Sequence, residues 1–474
     1  MAALLRLAIV AFAAVLAPNA GAPQQAPGHP NILVIIADDW SYPHASAYGD
    51  RVVRTPTFDR IAREGAAFTH AFVASPSCTP SRASLLTGRA VHQLAEGANL
   101  WGFLPARFET YPDRLEAAGY SVGYTRKGWG PGNFKAGGRA RNPAGPQFAS
   151  FEEFFRQAPK DRPFCFWFGS TDPHRPYDRG SGARAGLSAA NVEVPPFLPD
   201  TPEVRNDILD YYAEVERLDR EAGEIIAALE AAGQLDRTLV VFTSDNGMPF
   251  PRAKANLHDG GTRVPLAIRL PGLVTPGRTL ADLVVLTDLA PTLLEAAGAR
   301  PIAGMTGRSL RPLLAGKAQG GRERVFLERE RHAQVRRGDL SYPSRAVRTR
   351  DLLYIRNLRP DRWPAGDPEK YFAVGDFGDI DGGPTKELLL SRRSDSAIER
   401  YFTLATAKRP AEELYDVQAD PGQVRNLASD PKYAAAKRAL RRALDAWMRD
   451  TGDPRFRSDD DRWDRYPYFG KPGS

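Results

Sequence analysis

The chain has 474 residues, of which 42% are hydrophobic and 26% are charged. This composition is sufficient for a large buried core and excludes a chain that is disordered throughout. The net charge is +7, but the sequence has no zinc-finger or RNP-type pattern, which argues against a nucleic-acid partner. The positive charge then indicates either a surface that binds a sulfated polyanion or a generally Arg-rich composition.

The N-terminus has the pattern of an export signal. Arg6 precedes an apolar run over residues 7–16, and the small residues 20–22 form a typical cleavage site. The run is shorter than the roughly 20 residues that a membrane-spanning helix needs, so a short anchor is the less favoured alternative. We therefore predict a signal peptide over residues 1–22, a secreted or periplasmic protein, and no stable membrane insertion.

Short apolar runs alternate with amphipathic helical segments over roughly the first 300 residues. This alternation predicts an α/β fold with a doubly wound, mostly parallel sheet. The predicted strands cover residues 32–37, 120–125, 164–169 and 239–243, and a long helix covers residues 204–232.

Polar residues follow each of the four predicted strands. In open α/β sheets, ligands bind beyond the carboxyl ends of the strands, so these residues are expected to line one site. They are Asp38 and Asp39 after the first strand, Lys127 after the second, Asp172 and His174 after the third, and Asp245 and Asn246 after the fourth.

The pattern changes beyond residue 314. Residues 344–357 alternate enough to predict antiparallel strands, Pro/Gly/Asp-rich loops follow, and residues 431–448 form an amphipathic helical pattern. We predict a catalytic α/β domain over residues 23–320 and a smaller C-terminal α+β subdomain over residues 321–474.

The chain has two cysteines, which an exported protein can pair. Cys165 lies in an apolar run and has the surroundings of a small buried side chain. Cys78 begins the segment CTPSRASLLTGR, in which Thr79 is a candidate N-cap, Pro80 suits the first helical turn and Gly88 suits the end of the helix. Residue 78 is therefore expected at a helix N-terminus, where free N–H groups favour an anion.

This segment resembles the signature of the type I sulfatases, in which the Cys of C-x-P-S-R is oxidised to formylglycine. The resemblance implies an alkaline-phosphatase-like fold and a formylglycine-generating enzyme as the maturation partner. It also implies a Ca²⁺ ion, which needs several hard oxygen ligands. The implied ligands are Asp38, Asp39, the modified Cys78, Asp245 and Asn246. By itself, the Asp38–Asp39 pair is more typical of a solvated turn, but the two acidic pairs together, each after a buried strand, favour metal ligands. The alternative that Cys78 is a buried thiol beside a helix is disfavoured by so specific a motif.

Arg82, Lys127, His174 and Lys254 match the cationic and acid–base positions of the family. The resemblance implies that the formylglycine aldehyde hydrates to a gem-diol, whose oxyanion is stabilised by Ca²⁺ and Arg82 and attacks sulfur. His174 is then the candidate acid for the leaving atom, and the second hydroxyl expels sulfate. Taken singly, each of the three cations is more often a surface charge, and His174 a capping or core residue.

The likeness to the sulfamidase branch of this family extends over nearly the whole chain. It includes residues 172–175 (DPHR), 194–202, 244–251, 306–310, 341–345 and 413–416. The likeness implies that Asp172 and Arg175 face a glucosamine and its hydroxyls.

Two positions depart from that branch. Trp129 replaces the His that most sulfatases carry two residues after the counterpart of Lys127; a Trp can stack on a sugar but cannot transfer a proton. His258 or His92 is a candidate replacement for this imidazole. Lys254 replaces an Arg, so the two departures leave the choice between N-sulfate and O-sulfate open.

We therefore predict a hydrolase that removes N- or O-sulfate from a glucosamine-containing, heparan-sulfate-like glycan. A formylglycine-dependent phosphonate or phosphodiester hydrolase of the same superfamily is one alternative. A non-catalytic glycan-binding protein is another, which the intact C-T-P-S-R pattern disfavours. The sequence is compatible with a homodimer.

Overall fold

The computed structural model describes residues 29–317, 321–372, 375–457 and 459–471, so the predicted signal peptide lies outside the described residues. Within those ranges the chain forms fourteen strands and twelve α-helices. The strands are β1 (Asn31–Ala37), β2 (Ala66–Phe68), β3 (Ala71–Phe72), β4 (Ser121–Arg126), β5 (Gln147–Phe148), β6 (Phe164–Gly169), β7 (Thr238–Ser244), β8 (Leu266–Arg269), β9 (Arg278–Leu280), β10 (Val284–Val285), β11 (Arg324–Arg329), β12 (Ser344–Thr349), β13 (Leu352–Asn357) and β14 (Glu412–Asp416). The helices are α1 (Pro56–Glu64), α2 (Cys78–Thr87), α3 (Tyr111–Ala117), α4 (Phe151–Gln157), α5 (Ser181–Arg184), α6 (Pro202–Ala231), α7 (Asp259–Thr262), α8 (Leu289–Ala296), α9 (Arg311–Leu314), α10 (Pro384–Ser391), α11 (Glu399–Thr406) and α12 (Ala434–Thr451).

The central sheet has eight strands in the order β5-β4-β6-β1-β7-β8-β2-β9. All pairings from β5 to β7 are parallel, whereas β8 runs antiparallel to both of its neighbours. The four strands expected from the sequence are adjacent at its centre as β4, β6, β1 and β7, and their ends lie within one residue of the predicted bounds. The prediction of a mostly parallel α/β sheet is confirmed.

Helices cover both faces of this sheet, because its central strands are apolar on both sides. Leu33 and Ile35 of β1 face a core that includes Phe58 of α1 and the buried stripe of α6. Val34 and Ile36 face a second core, which α2, α3 and α8 complete. Burial of one such side chain contributes about 2 kcal/mol, so continuous apolar runs favour a central position in the sheet.

The C-terminal subdomain is built on an antiparallel sheet in the order β11-β12-β13-β14. One face, with Leu327 and Ile355, packs against Phe72 and Leu257 of the larger part of the chain. The other face packs against Leu444 of α12. The expected antiparallel strands over residues 344–357 are β12 and β13, and the expected helix over residues 431–448 is a 3-10 turn followed by α12. The exact boundary at residue 320 stays a prediction.

Both cysteines are buried and free, so the Cys78–Cys165 pairing that export allows does not form. Cys165 lies within β6, in the apolar surroundings that its sequence predicts. Across the ranges described, we find no helix with the length and apolar character that crossing a membrane requires.

His92 links the two parts of the chain and does not reach the site described below. Its Nδ1 lies 2.7 Å from a carboxylate oxygen of Glu328 on β11, and its Nε2 lies 3.3 Å from the carbonyl oxygen of Thr451 at the end of α12. Both partners only accept hydrogen bonds, so the doubly protonated ring satisfies both. The hypothesis that His92 replaces the family imidazole is therefore wrong, because its ring is committed to this junction.

The surroundings of His92 favour the charged ring. Burial alone would lower the pKa of His92, but the carboxylates of Glu328 and Asp453 outweigh burial and the opposing charge of Arg345, and they raise the pKa. A raised folded-state pKa means that the stabilisation is complete below the unfolded pKa and is lost as pH rises through the folded pKa.

We expect His92→Gln to lower the melting temperature more at about pH 5.5 than at about pH 9, since the imidazolium stabilises the fold only while it is charged. Thermal unfolding at both pH values measures this difference. His29→Gln, at an exposed histidine, is the control and should change neither value. Equal destabilisation by His92→Gln at both pH values would show that the ring acts through packing alone.

Candidate active site

Four polar residues meet where β1 and β7 end side by side. Asp38 and Asp39 follow β1, and Asp245 and Asn246 follow β7; all four are buried. The N–H of Asp39 lies 3.2 Å from Oδ1 of Asp245, and Nδ2 of Asn246 lies 2.5 Å from Oδ1 of Asp39. Asp39 has a left-handed backbone with φ of +82°, which Asp tolerates better than most residues. The parallel register of β1 and β7 thus brings together both predicted pairs.

Helix α2 brings Cys78 to this group. Cys78 is the first residue of the helix and Ser77 is the N-cap residue, so the expectation that Thr79 caps the helix is wrong. The hydroxyl of Thr79 instead donates to the carbonyl oxygen of Pro131. Gly88 ends the helix with φ of +68°, as its position predicts. The Cys78 thiol points at Asp38, with Sγ 3.4 Å from Oδ1.

Arg82, one turn further along α2, forms ion pairs with two carboxylates of this group. Its Nε donates to Asp245 at 2.7 Å, and a second guanidinium nitrogen lies 3.7 Å from Asp38. Its remaining bonds go to the carbonyl oxygens of Lys127 and Gly128, at 2.8 and 2.9 Å. The side chain is fully buried, so Arg82 fixes both the carboxylates and the loop that carries Lys127.

Two lysines form ion pairs with the carboxylates of Asp38 and Asp39. Nζ of Lys127 lies 2.5 Å from Oδ2 of Asp38, and Nζ of Lys254 lies 2.7 Å from Oδ2 of Asp39. Both ammonium groups also border a cavity of about 960 Å³ that reaches Cys78. Each lysine is thus held by a carboxylate on one side and faces the cavity on the other.

The charges of these pairs shift the ionisation of the whole group. Burial by itself would raise the pKa of Asp38, but Lys127 and the other nearby cations hold that pKa well below its usual range. Burial raises the pKa of Asp245 to about 6 despite the charge of Arg82. Burial also raises the pKa of the Cys78 thiol well above its usual range, so an unmodified Cys78 is a poor nucleophile.

The donor groups fit a hard divalent cation. One donor atom each from Asp38, Asp39, Cys78 and Asp245 lies within 4.8 Å of the others. Oδ1 of Asn246 is buried and accepts no hydrogen bond within the described part of the chain. Carboxylate and amide oxygens are typical ligands of Ca²⁺ and Mg²⁺, and an unpaired buried acceptor beside them is consistent with a ligand role.

His174 borders the cavity beside this group. Its Nδ1 lies 2.6 Å from the carbonyl oxygen of Arg175, to which it donates, and its Nε2 lies 3.8 Å from Oδ2 of Asp39. The ring is held by the backbone carbonyl of the next residue, and Nε2 is the nitrogen that is directed to the site. This is the arrangement that a proton donor to a bound substrate requires.

The predicted substrate-binding residues differ in their positions. Trp129 lies in the cavity wall. Its backbone N–H donates to Oδ1 of Asn142, and its carbonyl oxygen accepts from Nδ2 of the same side chain, both at 2.9 Å. Asp172 also borders the cavity, but its carboxylate is held in a two-fold ion pair by Arg217, with both distances 2.6 Å. The cavity therefore contains the Trp in a fixed position and an Asp that is already paired.

Arg175 and His258 do not offer free groups to the cavity. Arg175 borders it, but its guanidinium forms a two-fold ion pair with Asp207, with both distances 2.8 Å. His258 lies outside the cavity, with Nε2 3.2 Å from Arg252 and 3.7 Å from Glu413. Burial lowers the pKa of His258 to about 3. The expectation that His258 binds substrate or replaces the family imidazole is not met, because its ring packs in this separate cluster.

Two residues of the C-terminal subdomain complete the cavity, and no sequence motif indicated them. Oδ2 of Asp381 lies 3.0 Å from Nζ of Lys254. Nδ1 of His332 lies 2.8 Å from the hydroxyl of Ser77, directly before Cys78. Both residues stand in loops more than 70 positions from Lys254 or Cys78, so only the tertiary fold reveals their position.

Comparison with known proteins agrees with the geometry. A family model described as sulfatase matches residues 30–139 and 146–299, which is over half of the chain and includes the acidic group, α2 and both lysines. The chain belongs to the sulfatase family. A second model, described as N-sulphoglucosamine sulphohydrolase, C-terminal, matches residues 253–363 of this sulfatase, which confirms the predicted likeness to that branch.

Relatives of the sulfatase cover nearly its full length. It is 30% identical to human N-sulphoglucosamine sulphohydrolase in an alignment 472 positions long, which covers 90% of this chain and 91% of the relative. It also shares the fold of a solved structure in which the other protein is bound to that protein's substrate, D-glucosamine-2-N,6-O-disulfate. The TM-score is 0.63 and the identity 19%, and the match covers 92% of this chain and 99% of the other. Phosphonate monoester hydrolase of Agrobacterium radiobacter shares the fold too, with a TM-score of 0.62, 19% identity, and coverage of 89% and 96%.

We expect Arg82→Met to lower the free energy of unfolding by about 3–5 kcal/mol, because it leaves the carboxylates of Asp245 and Asp38 buried without their shared partner. Urea unfolding in the presence of a chelator measures the change. Arg54→Met, which breaks the exposed pair with Glu216, is the matched control and should cost no more than about 1 kcal/mol. Equal costs for the two variants would contradict the compensating role of Arg82.

Proposed function

We propose that this sulfatase removes sulfate from a glucosamine-containing, heparan-sulfate-like glycan. The observation that carries the proposal is the position of Cys78 in the floor of a cavity of about 960 Å³, with Lys127 and Lys254 beside it. A volume of this size accommodates a sugar and its substituents. The match to the C-terminal model of N-sulphoglucosamine sulphohydrolases supports a glucosamine unit.

In this proposal a maturation enzyme oxidises Cys78 to formylglycine, and Ca²⁺ is the resident ion. The ligands would be Asp38, Asp39, Asp245 and Asn246 together with residue 78. When present, the hydrated aldehyde supplies an oxygen nucleophile and a second hydroxyl through which sulfate can leave, and the ion lowers the cost of negative charge there. The poor nucleophilicity of the buried Cys78 thiol is consistent with the need for this modification.

Lys127 and Lys254 are the groups that contact the sulfate in this proposal. Their ammonium groups border the cavity and are held in place by Asp38 and Asp39 before any substrate binds. Cations fixed in this way offset the charge that develops on the sulfate oxygens without further reorganisation. The buried Arg82 would hold Asp245 and the loop that carries Lys127 in place through its hydrogen bonds.

His174 would donate a proton to the leaving atom through Nε2, since its Nδ1 is bound to the backbone. Trp129, in place of the usual His, would form part of the wall beside the sugar, with its side chain only 3% exposed and packed in the core. His332 is a second imidazole at the cavity, but its Nδ1 is bonded to the Ser77 hydroxyl, so His174 is the proposed donor to the leaving group. Secretion or export to the periplasm remains part of the proposal and rests on the predicted signal peptide.

Cys78→Ala should abolish turnover but retain calcium binding, because four of the proposed ligands lie directly after β1 and β7. Sulfate release and isothermal titration with CaCl₂ measure the two properties. Cys165→Ala, which alters the other buried cysteine within β6, is the matched control and should keep both. Loss of all measurable calcium affinity in Cys78→Ala would contradict the ligand assignment.

A panel of heparan disaccharides, each with a single N-sulfate or O-sulfate, tests the substrate. We expect sulfate loss from the glucosamine unit, because the cavity of about 960 Å³ beside the two lysines has room for a sugar together with its sulfate. Ion chromatography of released sulfate identifies the position. Loss of O-sulfate only would decide the open choice in favour of an O-sulfatase, whereas no loss from any glucosamine unit would contradict the proposed substrate. Faster hydrolysis of a phosphonate monoester than of any sulfated substrate would favour the alternative that shares this fold.

A further inference from the structure

Lys254 has two carboxylate partners, one from each part of the chain. Its Nζ lies 2.7 Å from Oδ2 of Asp39 and 3.0 Å from Oδ2 of Asp381, and the side chain is only 5% exposed. Asp39 is shared, because its other oxygen bonds to Asn246 and His174 also lies within 3.8 Å. Asp39 alone therefore does not define the position of the Lys254 ammonium group.

Asp381, in contrast, has Lys254 as its partner at the cavity. Its Oδ2 is buried and accepts no well-aligned hydrogen bond within the described ranges, and the Lys254 ammonium group lies 3.0 Å from it. A ring nitrogen of His174 also lies within 4.8 Å of this carboxylate, so Lys254 is the nearer of these two partners. The carboxylate lies on the cavity wall close to where the sulfate is proposed to bind. A bare carboxylate there would repel an anionic substrate, and the ion pair cancels that repulsion.

The loop that carries Asp381 is anchored directly before this residue. Asp379 is buried, forms ion pairs with Arg329 and Arg336, and accepts a hydrogen bond from the backbone N–H of Ala333 at 2.9 Å. Nζ of Lys386 donates to the carbonyl oxygen of Ile380 at 2.8 Å. The two residues that precede Asp381 are therefore fixed, and the C-terminal subdomain presents this carboxylate from an anchored segment.

We propose that Asp381 is a positioning residue that aims the Lys254 ammonium group at the sulfate, so that the C-terminal subdomain completes the active site. This role rests on the proposed function, because it gives Lys254 the task of contacting the sulfate. Asp381 acts through Lys254 and does not itself contact the reacting atoms.

A double-mutant cycle of Asp381→Asn and Lys254→Met tests the proposal on the mature, calcium-loaded enzyme. With an aryl sulfate as substrate, we expect Lys254→Met to lower kcat by about 100-fold and Asp381→Asn by about 10-fold, with a smaller change in KM. In the Lys254→Met background, Asp381→Asn should cost less than about twofold, because its effect passes through the absent lysine. Multiplicative losses in the double variant, or wild-type kcat in Asp381→Asn, would overturn the proposal.

Further variants separate positioning from folding. Asp381→Glu keeps the charge and should recover part of the lost kcat, and calcium affinity measured by titration calorimetry should stay at the wild-type value in every Asp381 variant. Asp376→Asn, at an exposed acid of the same segment, is the matched control and should match the wild type. If Asp381→Asn melts far below the wild type, Asp381→Ser is measured in the same cycle.

Failure of the proposed function is distinguishable, since it would appear as absent sulfate release by the wild type itself. Failure of the Asp381 proposal appears only in the variants, as losses that do not depend on Lys254 or as a lowered calcium affinity.

Discussion

Three carboxylates, those of Asp38, Asp39 and Asp245, are buried side by side where β1 and β7 end, and their charge must be compensated from within the fold. An unpaired buried carboxylate costs several kcal/mol, so the sheet is stable with this group only if cations reach it. They come from three directions, namely α2, the end of β4 and the loop after β7. The placement of α2 for this purpose also delivers Cys78 to the acidic group, so charge compensation and the chemistry of the site share one geometry.

The C-terminal subdomain contributes to the same site without supplying any part of the central sheet. Its antiparallel strands pack on the larger part through an apolar face, and the ion pairs around His92 fix one end of that contact. At the other end, His332 and Asp381 border the cavity beside Ser77 and Lys254. Small shifts of this subdomain would therefore alter the cavity, which gives a physical reason for the buried charges between the two parts.

The sequence was sufficient for the four central strands, because burial on both faces requires continuous apolar runs that stand out from their surroundings. It was insufficient for β2, β5, β8 and β9, which have two to four residues and owe their pairing to neighbours in space. Motifs located Cys78 and the acidic pairs, yet motifs did not show that Arg175 is paired with Asp207 or that His258 lies in another cluster. Asp381 belongs to no recognised motif, and tertiary contacts alone place it beside Lys254.

The central claim is that Cys78 is the precursor of the nucleophile and that its buried thiol is not itself the reactive group. Mass spectrometry of the peptide that contains residue 78, taken from protein produced in its native host, tests this claim most directly. The account predicts the lower mass of an aldehyde at this residue, with a shift on reaction with a hydrazine reagent, while Cys165 keeps its thiol. A peptide that carries only an unmodified thiol at residue 78, in protein that releases sulfate, would contradict it.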